Sequence, residues 1–294
     1  MSNFIRTMPT ITGKTKLLGV IGHPVSHSLS PLMQNAAITA LGIDWVYVAW
    51  PIHPTELTMA VAGLAAIGVQ GFNITIPHKQ AIIPLLQQLT PVAQQVGAVN
   101  TVWRTEAGWH GTNTDVAGFI SPLQALNQNW SSVTPVVLGN GGAARAIVVG
   151  LAQLGCPCIQ VVGRDLDKLT VFKTSWPDPA LEKLLEVYGW DALERLIPAT
   201  QLLVNTTPIG MAPDVTASPV SDELMKTLSP QAIVYDLIYT PRPTHFLQQA
   251  KRQGAITLDG LEMLVQQGAA ALEIWTGQAA PVAVMREALQ TYLE

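Results

Sequence analysis

The chain has 294 residues, of which 48% are hydrophobic and 12% charged, and its formal net charge is -4. A chain of this length exceeds what one hydrophobic core usually supports, so we expect two domains. No block of Lys or Arg offers a surface for nucleic acid or an anionic membrane, and we expect neither partner. The apolar runs are too short or too rich in Gly and Ala to span a bilayer, and no signal peptide is recognisable, which together predict a cytoplasmic protein.

The cysteines and histidines do not indicate a metal site. Cys156 and Cys158 are separated only by Pro157, a spacing that fits neither a zinc half-site nor an ordinary disulfide framework, so we expect two reduced thiols. The six histidines show no ligand spacing such as H-E-x-x-H. The sequence therefore predicts no metal, and a small molecule is the expected ligand.

Strand-like and helical segments alternate through the first hundred residues. These predicted segments are, in order, 17–22 (strand), 30–42 (helix), 45–50 (strand), 56–68 (helix) and 71–76 (strand). Pro31 in the first turn and Gly42 after the last turn mark the two ends of the first helix. This order predicts a largely parallel sheet, and it contains no glycine-rich phosphate loop.

A polar, Gly-rich stretch at 103–115 follows, and we interpret it as the separation between two halves of the chain. The alternation restarts at 135–155, and the segment from Leu261 onwards has a helical pattern. Further strands are predicted at 158–163, 201–207 and 232–239. The predicted fold class is α/β with two domains: an N-terminal α/β substrate domain, 1–115 plus 260–294, and a Rossmann-type doubly wound parallel sheet domain, 116–259.

The second half opens on a glycine-rich loop. In VVLGNGGAARA, Gly139, Gly141 and Ala144 form a G-x-G-x-x-A pattern between a predicted strand and a predicted helix. Gly139 permits a tight turn, and Gly141 and Gly142 let the backbone approach a pyrophosphate at the helix N-terminus. The pattern predicts a dinucleotide site, and a glycine-rich turn without a ligand is the alternative.

The residue after the next strand indicates which dinucleotide is bound. An NAD-specific fold usually has Asp or Glu there, whereas this chain has Gly163 followed by Arg164. A cation at this position favours a 2'-phosphate and predicts NADP. We interpret Asp165 as the N-cap of the following helix. Arg145 is either a second phosphate contact or a solvated helix residue.

The segment GFNITIPHKQ, 71–80, places Lys79 just beyond a predicted strand, where α/β sheets bind their ligands. A nicotinamide cofactor implies hydride transfer, and a ketone that is reduced in this way also needs a proton on its oxygen. Lys79 is the candidate general acid/base that supplies it. A solvated surface lysine is the alternative. Small polar residues that could hold a hydroxylated substrate also follow or precede apolar runs: Asn73, Thr75, Asn100, Asn113 and Asp115.

Eight motifs extend this pattern along nearly the whole chain. In order they are GHPVSHSLSPLMQN (22–35), NITIPHK (73–79), GAVNT (97–101), GTNTDVAG (111–118), GNGGAARA (139–146), NTTPIGM (205–211), YDLIYTPRPTHFL (235–247) and DGLEMLVQQGA (259–269). Through them the sequence resembles the shikimate dehydrogenase family. The resemblance implies the reversible reduction of 3-dehydroshikimate to shikimate with NADPH, a step of the shikimate pathway of aromatic amino-acid (chorismate) biosynthesis.

The resemblance also implies a role for each matching residue. Lys79 and Asp115 would form the catalytic acid–base pair. The substrate ligands it implies are Ser28, Ser30, Thr75, Lys79, Asn100, Asp115, Tyr239 and Gln267, with the two serines on the carboxylate. The NADP-binding residues it implies are Gly139, Asn140, Gly141, Gly142, Ala143, Arg164, Asn205, Thr206, Thr207, Leu237 and Gly260.

Three other functions are compatible with parts of this pattern. A quinate or dual quinate/shikimate dehydrogenase shares the motifs, although Ser28, Ser30 and Arg164 favour shikimate and NADP. A catalytically silent NADP-binding sensor would be expected to lose Lys79 or Asp115, and both are present. A tetrahydrofolate-type dehydrogenase would place its lysine in a tyrosine-led motif, which is absent around Lys79. A homodimer is an assembly that the sequence leaves open.

Overall fold

The computed structural model describes residues 10–293, and within this range the strands form two six-stranded sheets. The strands of the first sheet are β1 (Lys16–Gly22), β2 (Trp45–Pro51), β3 (Gly71–Ile74), β4 (Gln88–Leu89), β5 (Thr101–Thr105) and β6 (Gly108–Thr112). Those of the second are β7 (Val136–Leu138), β8 (Ile159–Gly163), β9 (Leu185–Gly189), β10 (Leu202–Asn205), β11 (Ile233–Asp236) and β12 (Ile256–Leu258).

Helices connect and cover these strands. They are α1 (Ser30–Leu41), α2 (Leu57–Ala66), α3 (Pro91–Val96), α4 (Asp115–Gln124), α5 (Gly142–Gln153), α6 (Leu166–Thr174), α7 (Pro179–Leu184), α8 (Leu193–Leu196), α9 (Asp222–Met225), α10 (His245–Arg252), α11 (Gly260–Thr276) and α12 (Val282–Leu293). None of the helices within residues 10–293 is long and apolar enough to cross a membrane.

The first sheet has the strand order β2-β1-β3-β5-β6-β4. Its strands β1, β2 and β3 are parallel, whereas β5 is antiparallel to both β3 and β6. Asn73 near the end of β3 therefore pairs with Thr101 at the start of β5, and Thr101 pairs with Thr112 at the end of β6. The carboxyl ends of β1, β3 and β6 and the beginning of β5 consequently meet at one edge of the sheet.

The stretch 103–115 does not separate the two halves, so that interpretation is wrong. Most of it forms the β5–β6 hairpin inside the first sheet, with Trp103 opposite His110. The strands are short, and Trp109 is the one apolar side chain of this stretch that is buried in the core. A single buried side chain leaves little alternation for sequence reasoning to detect.

Helices cover both faces of the first sheet. On one face α2 places Leu57, Val61 and Leu64 against the sheet. On the other face α1 packs with the C-terminal helices, and the shared core includes Leu18 and Val265. The last two helices of the chain therefore return to the sheet formed by residues 16–112.

The second sheet is entirely parallel and has the order β12-β11-β10-β7-β8-β9, which is the Rossmann order. The chain runs outward from β7 to β9, then returns to β10 on the other side of β7. This reversal between β7 and β10 is where such sheets bind ligands. The predicted α/β fold class with a doubly wound domain is confirmed.

The three strands predicted at 71–76, 201–207 and 232–239 end earlier than expected, at Ile74, Asn205 and Asp236. Beyond each of these ends the chain leaves the sheet and enters a candidate site segment. Residues 115 and 260, the predicted domain boundaries, each begin a helix. The boundaries themselves stay a prediction.

Candidate active site

Lys79 and Asp115 meet at the edge of the first sheet where its strands converge. Lys79 follows β3 and Asp115 follows β6, and the antiparallel β5 between those strands brings the two segments together. The Lys79 Nζ lies 2.6 Å from Asp115 Oδ2. The two side chains are only 18% and 9% exposed, so water screens this ion pair weakly.

The Asp115 carboxylate is held on both oxygens. Its second oxygen, Oδ1, accepts a hydrogen bond of 2.7 Å from Asn100 Nδ2, and the Asp115 backbone N–H donates to Asn113 Oδ1 at 3.0 Å. The predicted polar residues Asn100, Asn113 and Asp115 are thus brought together. A carboxylate bound in this way presents a fixed oxygen to Lys79.

Asn100 is in turn fixed by its neighbours. Its Oδ1 accepts hydrogen bonds from the backbone N–H of Thr114 at 2.8 Å and from Thr101 Oγ1 at 3.0 Å. Its Nδ2 also lies 3.4 Å from Gln267 Oε1 on α11. Helices α4 and α11 also approach each other closely here. Gly118 of α4 permits this approach, because a Cβ at Gly118 would lie 2.8 Å from the Met263 carbonyl oxygen of α11.

Two hydrogen bonds to backbone carbonyls fix the segment that carries Lys79. The Val99 N–H donates to the Lys79 carbonyl at 2.7 Å, one residue before Asn100. The buried His78 ring places Nε2 2.8 Å from the Ile52 carbonyl after β2. Lys79 and Asn100 therefore belong to one hydrogen-bonded unit rather than to a solvated surface loop.

The remaining predicted substrate residues lie after β1, β3 and β11. Ser28 and Ser30 follow β1 at the same edge, where Ser28 Oγ accepts the Ser30 N–H at 3.3 Å. Thr75 follows β3, is half-buried and donates its N–H to the Ile21 carbonyl at 2.9 Å. Tyr239 lies beyond β11 of the second sheet, where burial raises the pKa of its phenol. Within the described residues, no hydrogen bond joins Tyr239 to the network around Asp115.

The glycine-rich loop has the form needed to bind phosphate. Gly139 has φ +102°, and a Cβ there would lie 2.7 Å from Thr206 Oγ1. Gly141 is the N-cap of α5 without a side-chain cap, and both Gly141 and Gly142 face open space. The first N–H groups of α5 are therefore available to an anion such as a pyrophosphate.

The other predicted cofactor residues border this loop at the carboxyl edge of the second sheet. Asn205 ends β10 and Thr206 follows it, and Thr206 Oγ1 donates to the Leu138 carbonyl at 2.7 Å. Gly260 begins α11 in contact with the Leu237 carbonyl, which leaves no room for a Cβ. Arg164 follows β8 and is exposed. Also at this edge are Asn140 and Ala143 in the loop and Thr207 after Thr206.

The predictions for two residues near the loop, Asp165 and Arg145, have different outcomes. The prediction for Asp165 is confirmed, since its Oδ1 accepts the Lys168 N–H at 3.0 Å as the N-cap of α6. Both alternatives for Arg145 are wrong, because its side chain is buried and its guanidinium is bonded to groups outside the loop. Its guanidinium donates to the Val96 carbonyl at 2.5 Å and to Ser175 Oγ at 2.8 Å. Burial lowers the pKa of Arg145.

Sequence reasoning missed Asp236, at the end of β11. Its buried carboxylate accepts hydrogen bonds from Asn205 Nδ2 at 3.0 Å, Thr244 Oγ1 at 2.7 Å and the Ile238 N–H at 3.2 Å. Burial raises the pKa of Asp236 to about 6. A carboxylate that interrupts the apolar run AIVYDLIY is a signal that could have revealed this residue.

A metal site would need several ligating side chains close together. Within residues 10–293, no group of three His, Cys, Asp or Glu side chains is placed to hold a metal ion. Cys156 and Cys158 are free thiols, and burial raises the pKa of Cys156 to about 11. Cys156 is therefore in its protonated, unreactive form at neutral pH.

Models of two protein-family domains match the first and the last parts of the chain. The shikimate dehydrogenase substrate binding domain matches residues 20–102, and the shikimate 5'-dehydrogenase C-terminal domain matches residues 260–290. A shikimate dehydrogenase (NADP(+)) of Synechocystis sp. is 61% identical, and the match covers 98% of this chain and 99% of the relative. The chain belongs to the shikimate dehydrogenase family. The resemblance and the oxidoreductase class predicted from the motifs are confirmed.

Other relatives and solved structures agree. The shikimate dehydrogenase (NADP(+)) of Microcystis aeruginosa is 62% identical over 96% of this chain and 99% of its own. A crystal structure of shikimate dehydrogenase from Aquifex aeolicus matches with a TM-score of 0.86 and 37% identity over 96% of this chain and all of that chain. The Thermus thermophilus enzyme, solved with NADP(H) and shikimate, matches with a TM-score of 0.82 and 34% identity over 94% and 99% of the two chains.

Proposed function

We propose that this member of the shikimate dehydrogenase family catalyses the reversible, NADPH-dependent reduction of 3-dehydroshikimate to shikimate in the shikimate pathway, with Lys79 and Asp115 as its acid–base pair. The observation that carries the proposal is the weakly exposed ion pair between Lys79 Nζ and Asp115 Oδ2, at 2.6 Å. It lies at the sheet edge that also carries Ser28, Ser30 and Asn100. The names of the 61–62% identical relatives support the same reaction.

The residues of the second sheet fit NADP. Gly141 and Gly142 leave the N-terminus of α5 open to a pyrophosphate, and Gly139 permits the tight turn that leads to it. Arg164, exposed at the end of β8, supplies a cation for a 2'-phosphate, and no acidic residue stands in its place to favour NAD. When bound, NADPH supplies the hydride. The other cofactor residues proposed are Asn140, Ala143, Asn205, Thr206, Thr207, Leu237 and Gly260.

The chain's own residues handle the proton. In the reduction, the Lys79 ammonium donates a proton to the carbonyl oxygen as negative charge develops there, and in the oxidation Lys79 accepts the proton of the hydroxyl. Asp115 orients the ammonium, because one of its oxygens contacts Nζ and the other is held by Asn100. General acid/base catalysis of this kind contributes about 10²–10⁴-fold to the rate.

Substrate binding is assigned to groups around this pair. Ser28 and Ser30 bind the carboxylate near the start of α1, while Tyr239 approaches it from the second sheet. Thr75, Asn100 and Gln267 bind the ring hydroxyls, and the contact of 3.4 Å between Asn100 and Gln267 supports their common role. We assign residues 1–115 with 260–294 to a substrate domain and residues 116–259 to an NADP domain. A cytoplasmic location and a homodimer remain predictions.

The fold alone does not fix the substrate. A 5-ketofructose reductase of a Gluconobacter strain matches this chain with a TM-score of 0.83 and 34% identity, as well as several shikimate dehydrogenases do. A shikimate 5-dehydrogenase from Listeria monocytogenes was solved with shikimate and NAD. The test of the proposed specificity therefore compares two substrates and two cofactors.

The test is reduction of NADP+ by the purified protein, followed at the nicotinamide absorbance. Shikimate and quinate are each combined with NADP+ and NAD+. We expect turnover with shikimate and NADP+, with much lower kcat/KM for the other three combinations. Comparable turnover with quinate or NAD+ would contradict the proposed specificity, and the absence of any turnover would favour a catalytically silent sensor.

A further inference from the structure

Tyr47 is a core residue whose hydroxyl is not needed for packing. It lies in the middle of β2, opposite Leu18 of β1, and is 1% exposed. Its ring belongs to the core beneath α1 and lies 6.0 Å from the ring of Trp275. A phenylalanine would fill the same space, so the hydroxyl must be explained by the polar groups around it.

The Tyr47 hydroxyl fixes the side chain of Asn73. It donates a hydrogen bond of 2.7 Å to Asn73 Oδ1. The amide nitrogen of Asn73 then faces the other way and donates to the Asn100 carbonyl at 3.1 Å and to Thr101 Oγ1 at 3.0 Å. Because Thr101 Oγ1 donates to Asn100 Oδ1 at 3.0 Å, a continuous buried chain of hydrogen bonds leads from Tyr47 to Asn100.

That chain ends at the acid–base pair. Asn100 Nδ2 donates to Asp115 Oδ1 at 2.7 Å, and the other oxygen of Asp115 contacts Lys79. Every side chain between Tyr47 and Asp115 is buried. In such surroundings each hydrogen bond is costly to leave unmade, so the chain has one preferred arrangement.

Tyr47 also ties β2 to α1, the helix that begins with Ser30. Burial raises the pKa of the Tyr47 phenol, so its hydroxyl keeps the proton that it donates to Asn73. Asn35 of α1 also binds the Tyr47 backbone on both sides, accepting its N–H at 2.9 Å and donating to its carbonyl at 2.8 Å. The helix that begins with Ser30 is therefore fixed to β2 at Tyr47.

We propose that Tyr47 is a positioning residue of the substrate site: its hydroxyl fixes Asn73 and, through Asn100, the proton-transfer end at Asp115 and Lys79. The proposal rests on the proposed function. A substrate bound at both ends needs a fixed distance between them, and Tyr47 is bonded towards both, through Asn35 to the helix that begins with Ser30 and through Asn73 to the chain that ends at Asp115. Loss of the hydroxyl leaves Asn73 Oδ1 buried without this donor.

The test compares Tyr47→Phe with a matched control, Tyr235→Phe. Tyr235 is also fully buried, but its hydroxyl has no hydrogen-bond partner among residues 10–293. We expect Tyr47→Phe to raise the KM for shikimate about tenfold, the effect of an unsatisfied buried acceptor, with the KM for NADP+ unchanged. Tyr235→Phe should change neither constant. An equal rise of KM in both variants, or an unchanged KM in a folded Tyr47→Phe protein, would overturn the proposal.

A double-mutant cycle with Thr101→Val shows whether the two hydroxyls act in one chain. If Tyr47 acts through Asn73 and Thr101, the increase in KM for the double variant is clearly smaller than the product of the two single increases. Independent, multiplicative effects would contradict the proposed link. If Tyr47→Phe fails to fold, Thr101→Val interrupts the same chain with an isosteric side chain, and an unchanged KM for shikimate in that variant would also overturn it. A wild-type protein without shikimate activity would instead refute the proposed function.

Discussion

The two halves of the molecule build their sites from different parts of the chain. At the edge of the first sheet, side chains bind one another: Lys79, Asp115 and Asn100 form a buried polar cluster with bond lengths of 2.6–2.7 Å. At the edge of the second sheet, the loop at 139–142 offers mainly backbone N–H groups, and its glycines remove side chains. The first site should therefore respond to changes of functional group, whereas the second should respond to added bulk and to loss of charge.

Removal of Lys79 tests the side-chain half most severely. We expect Lys79→Ala to lower kcat for shikimate oxidation about 10²–10⁴-fold, because the proton acceptor is lost, with a smaller change in KM. Steady-state kinetics with saturating NADP+ provide the measurement. Lys251→Ala, at an exposed lysine near the end of α10, is the control and should match the wild type. An unchanged kcat in Lys79→Ala would remove this residue from the mechanism.

Asp236 is a buried carboxylate in the second half, whose site otherwise consists mainly of backbone groups. Its substitution tests how a buried side chain contributes to that half. Its pKa is raised to about 6, so the folded protein binds more protons than the unfolded chain between about pH 4 and 6. The contribution of this group to stability is therefore lost as the pH rises through that window. Relative to the wild type, we expect Asp236→Asn to gain up to about 3 kcal/mol in free energy of unfolding between pH 4 and 7.

Urea unfolding at several pH values measures this change. Asp191→Asn, at an exposed aspartate, is the control and should show no such gain. A difference between wild type and Asp236→Asn that stays constant from pH 4 to 7 would mean that Asp236 titrates alike in the folded and unfolded states.

Arg164 tests the charge that we assign to the 2'-phosphate. Since a hydrogen bond to a charged group contributes about 1.5–3 kcal/mol, Arg164→Ala should raise the KM for NADP+ about 10- to 100-fold and leave the KM for NAD+ unchanged. The comparison variant is Arg252→Ala, at an arginine whose side chain is 60% exposed. Equal losses with NADP+ and NAD+ would show that Arg164 does not contact the 2'-phosphate.

Gly139 tests the part played by the absence of a side chain. Its φ of +102° and the contact of 2.7 Å that a Cβ would make with Thr206 Oγ1 both oppose an alanine. We expect Gly139→Ala to raise the KM for NADP+ about tenfold. Gly155→Ala is matched for strain alone, since Gly155 has φ +90° and open space around it. Similar KM values in the two variants would assign the effect to backbone strain rather than to the loop.

The sequence was more informative about the backbone-built site than about the side-chain site. Gly139, Gly141 and Arg164 are adjacent in the chain to the strand ends that place them, so local pattern was sufficient. The Asn100–Asp115 contact depends on the antiparallel β5–β6 hairpin, which the sequence pattern concealed. Tyr47 lies in the strand WVYVAW, where nothing distinguishes a positioning hydroxyl from an ordinary core ring. The sequence placed Arg145 in the glycine-rich loop. Only the fold shows that its side chain is buried and donates a hydrogen bond to the Val96 carbonyl.

A crystal structure of the wild-type protein with shikimate alone tests the central claim most directly, because without NADP+ the substrate is not consumed. We predict that Lys79 Nζ lies about 2.6–3.2 Å from the oxygen of the 3-hydroxyl group, the group that the reaction oxidises, with Asp115 still bound to Asn100. The carboxylate is expected at Ser28 and Ser30. Shikimate bound elsewhere, or with its 3-hydroxyl out of hydrogen-bonding reach of Lys79, would contradict the account.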